Sequence, residues 1–116
     1  MNNLIDVEEK DSIVLLRMKD KELGAEHAEE LSKITAARDN KNTKGVIINF
    51  SVVYYMPSIF LSVLIEIMKK LKSKKIKLAL AELNPKILEI LHVTKLDTTF
   101  NIYNSSLEAY NALGGS

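Results

Sequence analysis

The sequence predicts a single α/β domain with the element order β-β-α-β-α-β-α-β-α. Three observations support this prediction. Short runs rich in Val, Ile and Leu alternate with longer segments whose apolar residues recur every three or four positions. The length of 116 residues suits one hydrophobic core, and no repeat or linker divides the chain. Strands that alternate with helices indicate a mostly parallel sheet with right-handed crossovers.

The first three predicted elements are two strands and a helix. Residues 4–7 form a short strand, and the polar EEKDS at 8–12 forms a turn. The apolar IVLLRM at 13–18 is a stronger strand, which we expect to pair with the first as an antiparallel hairpin. A helix follows Gly24 over residues 25–39, because its apolar residues fall on one face and its glutamates elsewhere.

The middle of the chain predicts a buried strand, a long helix and another strand. GVIINF at 45–50 is β-branched and apolar. Pro57 suits the first turn of the next helix, where its missing N–H would have no partner in any case. Apolar residues at helical spacing then continue to about residue 73, and KIKLAL at 75–80 is the fourth strand.

The last third predicts two helices separated by a strand. The helix at 84–93 has Asn84 as its N-cap and Pro85 at its first helical position. Residues 100–103 form the last strand. A final helix ends at residue 113 and begins with an Asn or Ser cap followed by a glutamate, as a capping box requires.

The composition is ordinary for a soluble globular protein, with 47% hydrophobic and 27% charged residues and a net charge of +1. The chain has no cysteine, so it has no disulfide. The N-terminus is acidic and lacks the pattern of a signal peptide, and the apolar run at 59–67 is too short for a membrane span. We therefore expect a cytoplasmic domain at residues 1–113, no membrane insertion, and a flexible tail at 114–116.

The sequence gives little indication of catalysis or of a metal or cofactor. His27 and His92 stand on different predicted helices, without a second ligand at a suitable spacing. The sequence pattern around Asp97 contains no serine–histidine pair and no second carboxylate, as catalysis would require. The glycines do not form a phosphate-binding motif. We expect a protein that is not an enzyme.

Six lysines between positions 69 and 77 form the densest charge run. They could bind an acidic partner or nucleic acid, or they could be the solvated end of a helix whose dipole favours cations. The run has no interleaved aromatic residue and no arginine, so we favour the second interpretation and expect no nucleic-acid partner.

Residues 4–113 resemble the STAS domain, the fold of bacterial anti-sigma factor antagonists. In that family a strand ends in aspartate-leucine-serine, and a loop reading aspartate-serine-serine/threonine-glycine-leucine then opens a helix. Here VIINFS at 46–51 matches the strand and PSIFL at 57–61 falls on the loop. The passage LDTTF at 96–100 and the closing SLEA at 106–109 also resemble the second half of the family.

The departures from the family pattern concern the loop and the end of the strand before it. The resemblance places Ser58 on the first hydroxyl and Ile59 on the second, which a partner kinase phosphorylates in family members that act as switches. Pro57 stands in place of the loop aspartate, Phe60 in place of the glycine, and Asn49 in place of the strand aspartate. Isoleucine cannot accept a phosphate, so the resemblance implies the fold without the usual phosphorylation switch.

The resemblance implies a non-catalytic regulator of transcription that binds a kinase-like anti-sigma factor or another STAS-associated protein. One interpretation makes the loop a permanent docking surface, and the alternative turns Ile59 and Phe60 into the core. Ser58 is either a substitute phosphate acceptor or, as we favour, a helix-start residue bonding a free backbone N–H. One of Tyr54 and Tyr55 should face the core. The candidate contact residues are Tyr54, Pro57, Ser58, Ile59, Phe60, Ser62, Ile65, Glu66 and Lys69.

A second function is compatible with the same fold. STAS domains also serve as subunits or scaffolds of larger assemblies, in stress-signalling complexes or lipid-transport systems. Such a role needs no sigma-factor regulation, and it would make the chain part of an oligomer.

Overall fold

The computed structural model describes residues 4–114, which contain five strands and four helices in the predicted order. The strands are β1 (Ile5–Lys10), β2 (Ile13–Met18), β3 (Gly45–Asn49), β4 (Lys77–Ala81) and β5 (Asn101–Tyr103). The helices are α1 (Ala25–Ala36), α2 (Ser58–Ser73), α3 (Pro85–Val93) and α4 (Ser106–Ala112). An unpredicted 3₁₀ turn, Leu96–Thr98, precedes β5. The predicted α/β fold is confirmed; residues 115–116 of the expected tail lie outside the described residues.

The sheet has the strand order β1-β2-β3-β4-β5. β1 and β2 form the predicted antiparallel hairpin, and the other neighbours are parallel. The turn is shorter than predicted, because Lys10 pairs with Ile13 and only Asp11 and Ser12 lie between them. Both have positive φ, as a two-residue hairpin turn needs. Residues 8–10 are strand, since an edge strand tolerates charged side chains.

Helices cover both faces of the sheet, so all five residues of β3 are buried. Helices α1, α2 and α3 pack on one face and form the larger core cluster with alternate residues of the strands. Helix α4 packs on the opposite face, where a smaller cluster includes Ile47, Ala109 and Leu113. A Cβ atom at Gly45 would lie 2.8 Å from Leu113 Cδ1, so glycine lets the end of α4 lie against the start of β3.

The caps of the last two helices agree with the predictions. Asn84 Oδ1 accepts a hydrogen bond from the Ile87 N–H (2.9 Å) at the start of α3. Ser105 Oγ accepts from the Glu108 N–H (3.1 Å) at the start of α4, and the Glu108 carboxylate accepts from the Asn104 N–H (3.2 Å). In a capping box the Glu108 carboxylate would accept from the N–H of the N-cap Ser105, but here it accepts from the residue before it.

Two predicted helix ends need correction. Helix α1 ends at Ala36 instead of near residue 39, and the chain then turns through polar residues. Pro57 is the N-cap of α2 (φ −74°, ψ 162°) instead of lying in its first turn. No helix in the described part of the chain is long and apolar enough to cross a membrane.

Candidate protein-docking site

The candidate site begins where β3 ends, at the carboxyl end of the parallel strands. The Phe50 N–H donates to Ala81 O (3.0 Å), which extends the pairing with β4 by one residue. The Val53 N–H then donates to Phe50 O (3.0 Å) and closes a turn. Phe50 and Val53 are buried and anchor the loop from below. Val52, between them in sequence, is 44% exposed.

The next two residues, Tyr54 and Tyr55, are held by the connection between β2 and α1. Both of their N–H groups donate to Lys21 O (2.7 and 3.1 Å), and the Leu23 N–H donates to Tyr55 O (3.0 Å). Their side chains are 66% and 56% exposed, and Lys21 Nζ lies 5.8 Å from the centre of the Tyr54 ring. The prediction that one tyrosine faces the core is wrong, because the core position here is taken by Val53.

The β2–α1 connection is itself braced by His27. The buried His27 accepts a hydrogen bond at Nδ1 from the Gly24 N–H (3.0 Å). Nε2 therefore carries the ring proton and donates to Asp20 Oδ2 at 2.7 Å. These bonds tie both ends of the segment that holds the tyrosines. Among residues 4–114 no group of three or more histidine or acidic side chains could hold a metal ion.

Helix α2 starts without a side-chain cap. The Phe60 and Leu61 N–H groups donate to Pro57 O (3.0 and 3.1 Å). Ser58 is the first residue of the helix and is exposed. The expected position of Ser58 at the start of the helix is confirmed, but the cap position belongs to the preceding Pro57 and not to Ser58.

The neighbours Ile59 and Phe60 point in opposite directions. Ile59 is 52% exposed, whereas Phe60 is fully buried. The Phe60 ring meets the Phe50 ring edge to face, with centroids 6.2 Å apart and an interplanar angle of 88°. The expectation that Phe60 belongs to the contact surface is wrong, because it lies one helical turn before the buried Leu64 and shares its face.

The outer face of α2 continues the exposed surface from Ile59. Its residues recur at intervals of three and four and lie opposite the buried residues of the helix. Ile65 is half-buried and the others are exposed. This outer face consists of Ser58, Ile59, Ser62, Ile65, Glu66 and Lys69.

We define the docking surface as the outer face of α2 together with the half-buried Pro57 and the exposed loop residues Val52, Tyr54 and Tyr55. Neither the exposure of Val52 nor that of both tyrosines was predicted from the sequence. The side chains of Val52 and Val53 have the same chemistry, and only the backbone turn decides which one is buried. The structure thus provides an apolar exposed segment at the start of α2.

A polar cluster lies below the loop, at the ends of β3 and β4 and the start of α4. The buried Asn49 donates through Nδ2 to Glu82 Oε2 and to Ser106 Oγ, both at 2.7 Å. Its Oδ1 accepts from the Ser51 N–H at 2.9 Å. An amide can serve as donor and acceptor at once, whereas an ionised carboxylate only accepts. Asparagine is therefore the residue that fits beside Glu82.

Comparisons with known proteins agree with this geometry. A family model described as STAS domain matches residues 5–109. An anti-sigma-factor antagonist (STAS) domain protein from Planctomyces limnophilus has a TM-score of 0.82 at 22% identity, covering 95% of this chain and 97% of that chain. The Bacillus cell fate determinant SpoIIAA, in its phosphorylated form, gives 0.75 at 16% identity, with 94% and 98% covered. No curated protein sequence matches.

A chain of the stressosome, described as a signal integration and transduction hub, also shares the fold. Its TM-score is 0.70 at 16% identity, with 93% of this chain and 95% of that chain covered. The family match extends over nearly all of the described residues, and the five-stranded mixed sheet with four helices is the fold of that family. The chain belongs to the STAS domain family.

Proposed function

We propose that this chain is a non-catalytic, cytoplasmic protein-binding regulator that resembles anti-sigma factor antagonists and binds a kinase-like anti-sigma factor through its docking surface. The exposure of Ile59 at the start of α2 is the observation that carries this proposal. The contact residues are those predicted from the sequence, without Phe60 and with Val52 and Tyr55 added. We infer a role in the regulation of bacterial transcription.

The chemistry of position 59 makes this docking independent of phosphorylation there. A phosphate at the start of α2 would add about 1.5 to 2 negative charges and three acceptor oxygens to the surface. Ile59 has no atom that could carry it. A β-branched side chain that is half exposed instead offers apolar area that a partner could bury. Binding through this surface would therefore be constitutive, or be controlled elsewhere.

The Ile59→Asp substitution should weaken partner binding. We expect the affinity to fall at least about tenfold, because a charge would be desolvated at the centre of the interface. Wild-type protein captures the partner from native lysate. The purified partner is then titrated with wild type and with each variant by calorimetry. The matched control is Ile90→Asp, since Ile90 is 47% exposed on α3. An equal loss of affinity in both variants, or no loss of affinity in either, would refute the proposed surface.

Phosphate should not be incorporated into the wild-type chain by its partner kinase. The chain is incubated with the captured partner and ATP, and its intact mass is measured. Ile59→Ser serves as the positive control, because it restores a hydroxyl at the family position and should gain one phosphate. A phosphate on wild type that disappears in Ser58→Ala would show that the exposed Ser58 has taken over the switch.

The likeness to a stressosome chain supports a second candidate function. In this alternative the chain is a scaffold subunit of a large assembly and binds homologous STAS domains in place of an ATP-binding regulator. The same capture experiment distinguishes the two candidates. Co-purification of homologous domains in a large particle favours the scaffold, and co-purification of an ATP-binding protein favours the regulator.

A further inference from the structure

The face of the sheet opposite α2 carries a groove that α4 leaves uncovered. Helix α4 contacts β3, β4 and β5, so the side chains of β2 on this face are covered only in part. The floor of the groove is apolar and is formed by Ile13, Leu15 and Ile47. Tyr110 of α4 forms one wall, and charged residues of β1 form the other.

The volume of the groove, about 230 Å³, limits what can occupy it. Sites for drug-sized ligands and cofactors usually measure about 300–1,000 Å³. The groove is therefore small for such a ligand, and its size suits one or two aliphatic side chains from another protein.

The chain displays such a side chain beside the groove. Leu107, in the first turn of α4, lines the groove and is 68% exposed. No other described large apolar residue except Val93 exceeds this exposure. A cavity and an exposed leucine on the same surface are the two halves of a self-complementary contact. A two-fold axis would bring each leucine to the cavity of the other copy.

Charged side chains of both signs also lie around the groove. Glu8 pairs with Arg17 at 2.9 Å, and Lys10 Nζ lies 5.7 Å from the centre of the Tyr110 ring. Asp11 accepts a hydrogen bond from the Tyr110 hydroxyl. Both signs therefore occur along one rim, so an identical rim in antiparallel orientation can oppose plus to minus. The charged side chains along the edge strand β1 also disfavour pairing by strand addition.

We propose that a second copy of this chain covers the groove, in a symmetric dimer in which Leu107 of each copy inserts into the groove of the other. A two-fold contact closes on itself, whereas a one-way insertion would propagate into fibres. This interface lies on the opposite face of the sheet from α2. It leaves the docking surface free and does not depend on the proposed function.

Sedimentation velocity over a concentration series up to high micromolar tests this proposal with the full chain. We expect wild type to move from monomer to dimer and Leu107→Glu to stay monomeric over the same range. The matched control is Val93→Glu, because Val93 is 72% exposed on α3 and lies outside the groove; this variant should dimerise as wild type does. Both substitutions are at exposed positions, and circular dichroism verifies that each variant is folded.

Two outcomes would overturn the proposal. A wild-type chain that stays monomeric at every concentration would exclude the second copy and leave the groove for a different protein. A wild-type dimer that persists in Leu107→Glu, or is lost equally in Val93→Glu, would place the self-association elsewhere on the molecule.

Discussion

The Phe60→Ala chain should lose about 3–5 kcal/mol of its free energy of unfolding, the cost expected when a buried phenylalanine is truncated. Phe60 is fully buried and contributes an edge-to-face contact with Phe50 in addition to its buried area. A domain of this size is stable by only about 5–15 kcal/mol, so the variant should be close to unfolding at moderate temperature. Urea denaturation followed by circular dichroism measures the change.

The adjacent Ile59→Ala substitution is the matched control for that experiment. Ile59 is half exposed, so its truncation should change the free energy of unfolding by about 0.5–1 kcal/mol at most. The two variants remove apolar side chains from neighbouring positions of one helix turn. Similar losses in both would mean that Phe60 is not the core residue and Ile59 not the surface residue.

The same pair of residues shows how far the sequence could predict the site. The apolar spacing of α2 already groups Phe60 with Leu64, which the structure confirms as a buried face. Matching PSIFL to the loop of the family suggested instead that Phe60 stands at an exposed loop position. The helix begins at Ser58, so position 60 obeys the periodicity of the helix and not the loop correspondence.

Contacts between distant segments could not be predicted, because no local pattern encodes them. The pairing of Tyr54 and Tyr55 with Lys21 depends on how the β2–α1 connection passes the loop. Asn49 contacts Glu82, whose backbone is left-handed (φ 58°), a conformation that the residue type does not suggest. The periodicity of apolar residues and the capping residues predicted the helices and strands, whereas these tertiary contacts decide which loop side chains are exposed at the surface.

The Asn49→Asp substitution, which introduces the strand aspartate of the family, should destabilise this chain. Nδ2 of Asn49 donates to Glu82 Oε2 at 2.7 Å, so the variant places two carboxylates at hydrogen-bonding distance in a largely buried site. Near neutral pH we expect a loss of about 2–4 kcal/mol in the free energy of unfolding, from repulsion and from the lost donor. Thermal or urea denaturation of wild type and variant measures the difference.

The pH dependence of that difference identifies its cause. The folded variant should bind a proton between its two carboxylates more tightly than the unfolded chain does, so acidification favours the folded state. The difference in the free energy of unfolding between wild type and variant should therefore become smaller as the pH falls from about 7 to about 5.

The double variant Asn49→Asp with Glu82→Gln supplies the control, since a glutamine amide can donate to the introduced carboxylate and should recover most of the loss. Two results would contradict this explanation: a difference in the free energy of unfolding that stays constant with pH, or a double variant that is as unstable as the single one. Either would mean that charge repulsion is not the reason this family member carries an amide at position 49. If the double variant recovers, Glu82 is the residue that excludes the family aspartate, and the two positions have to change together.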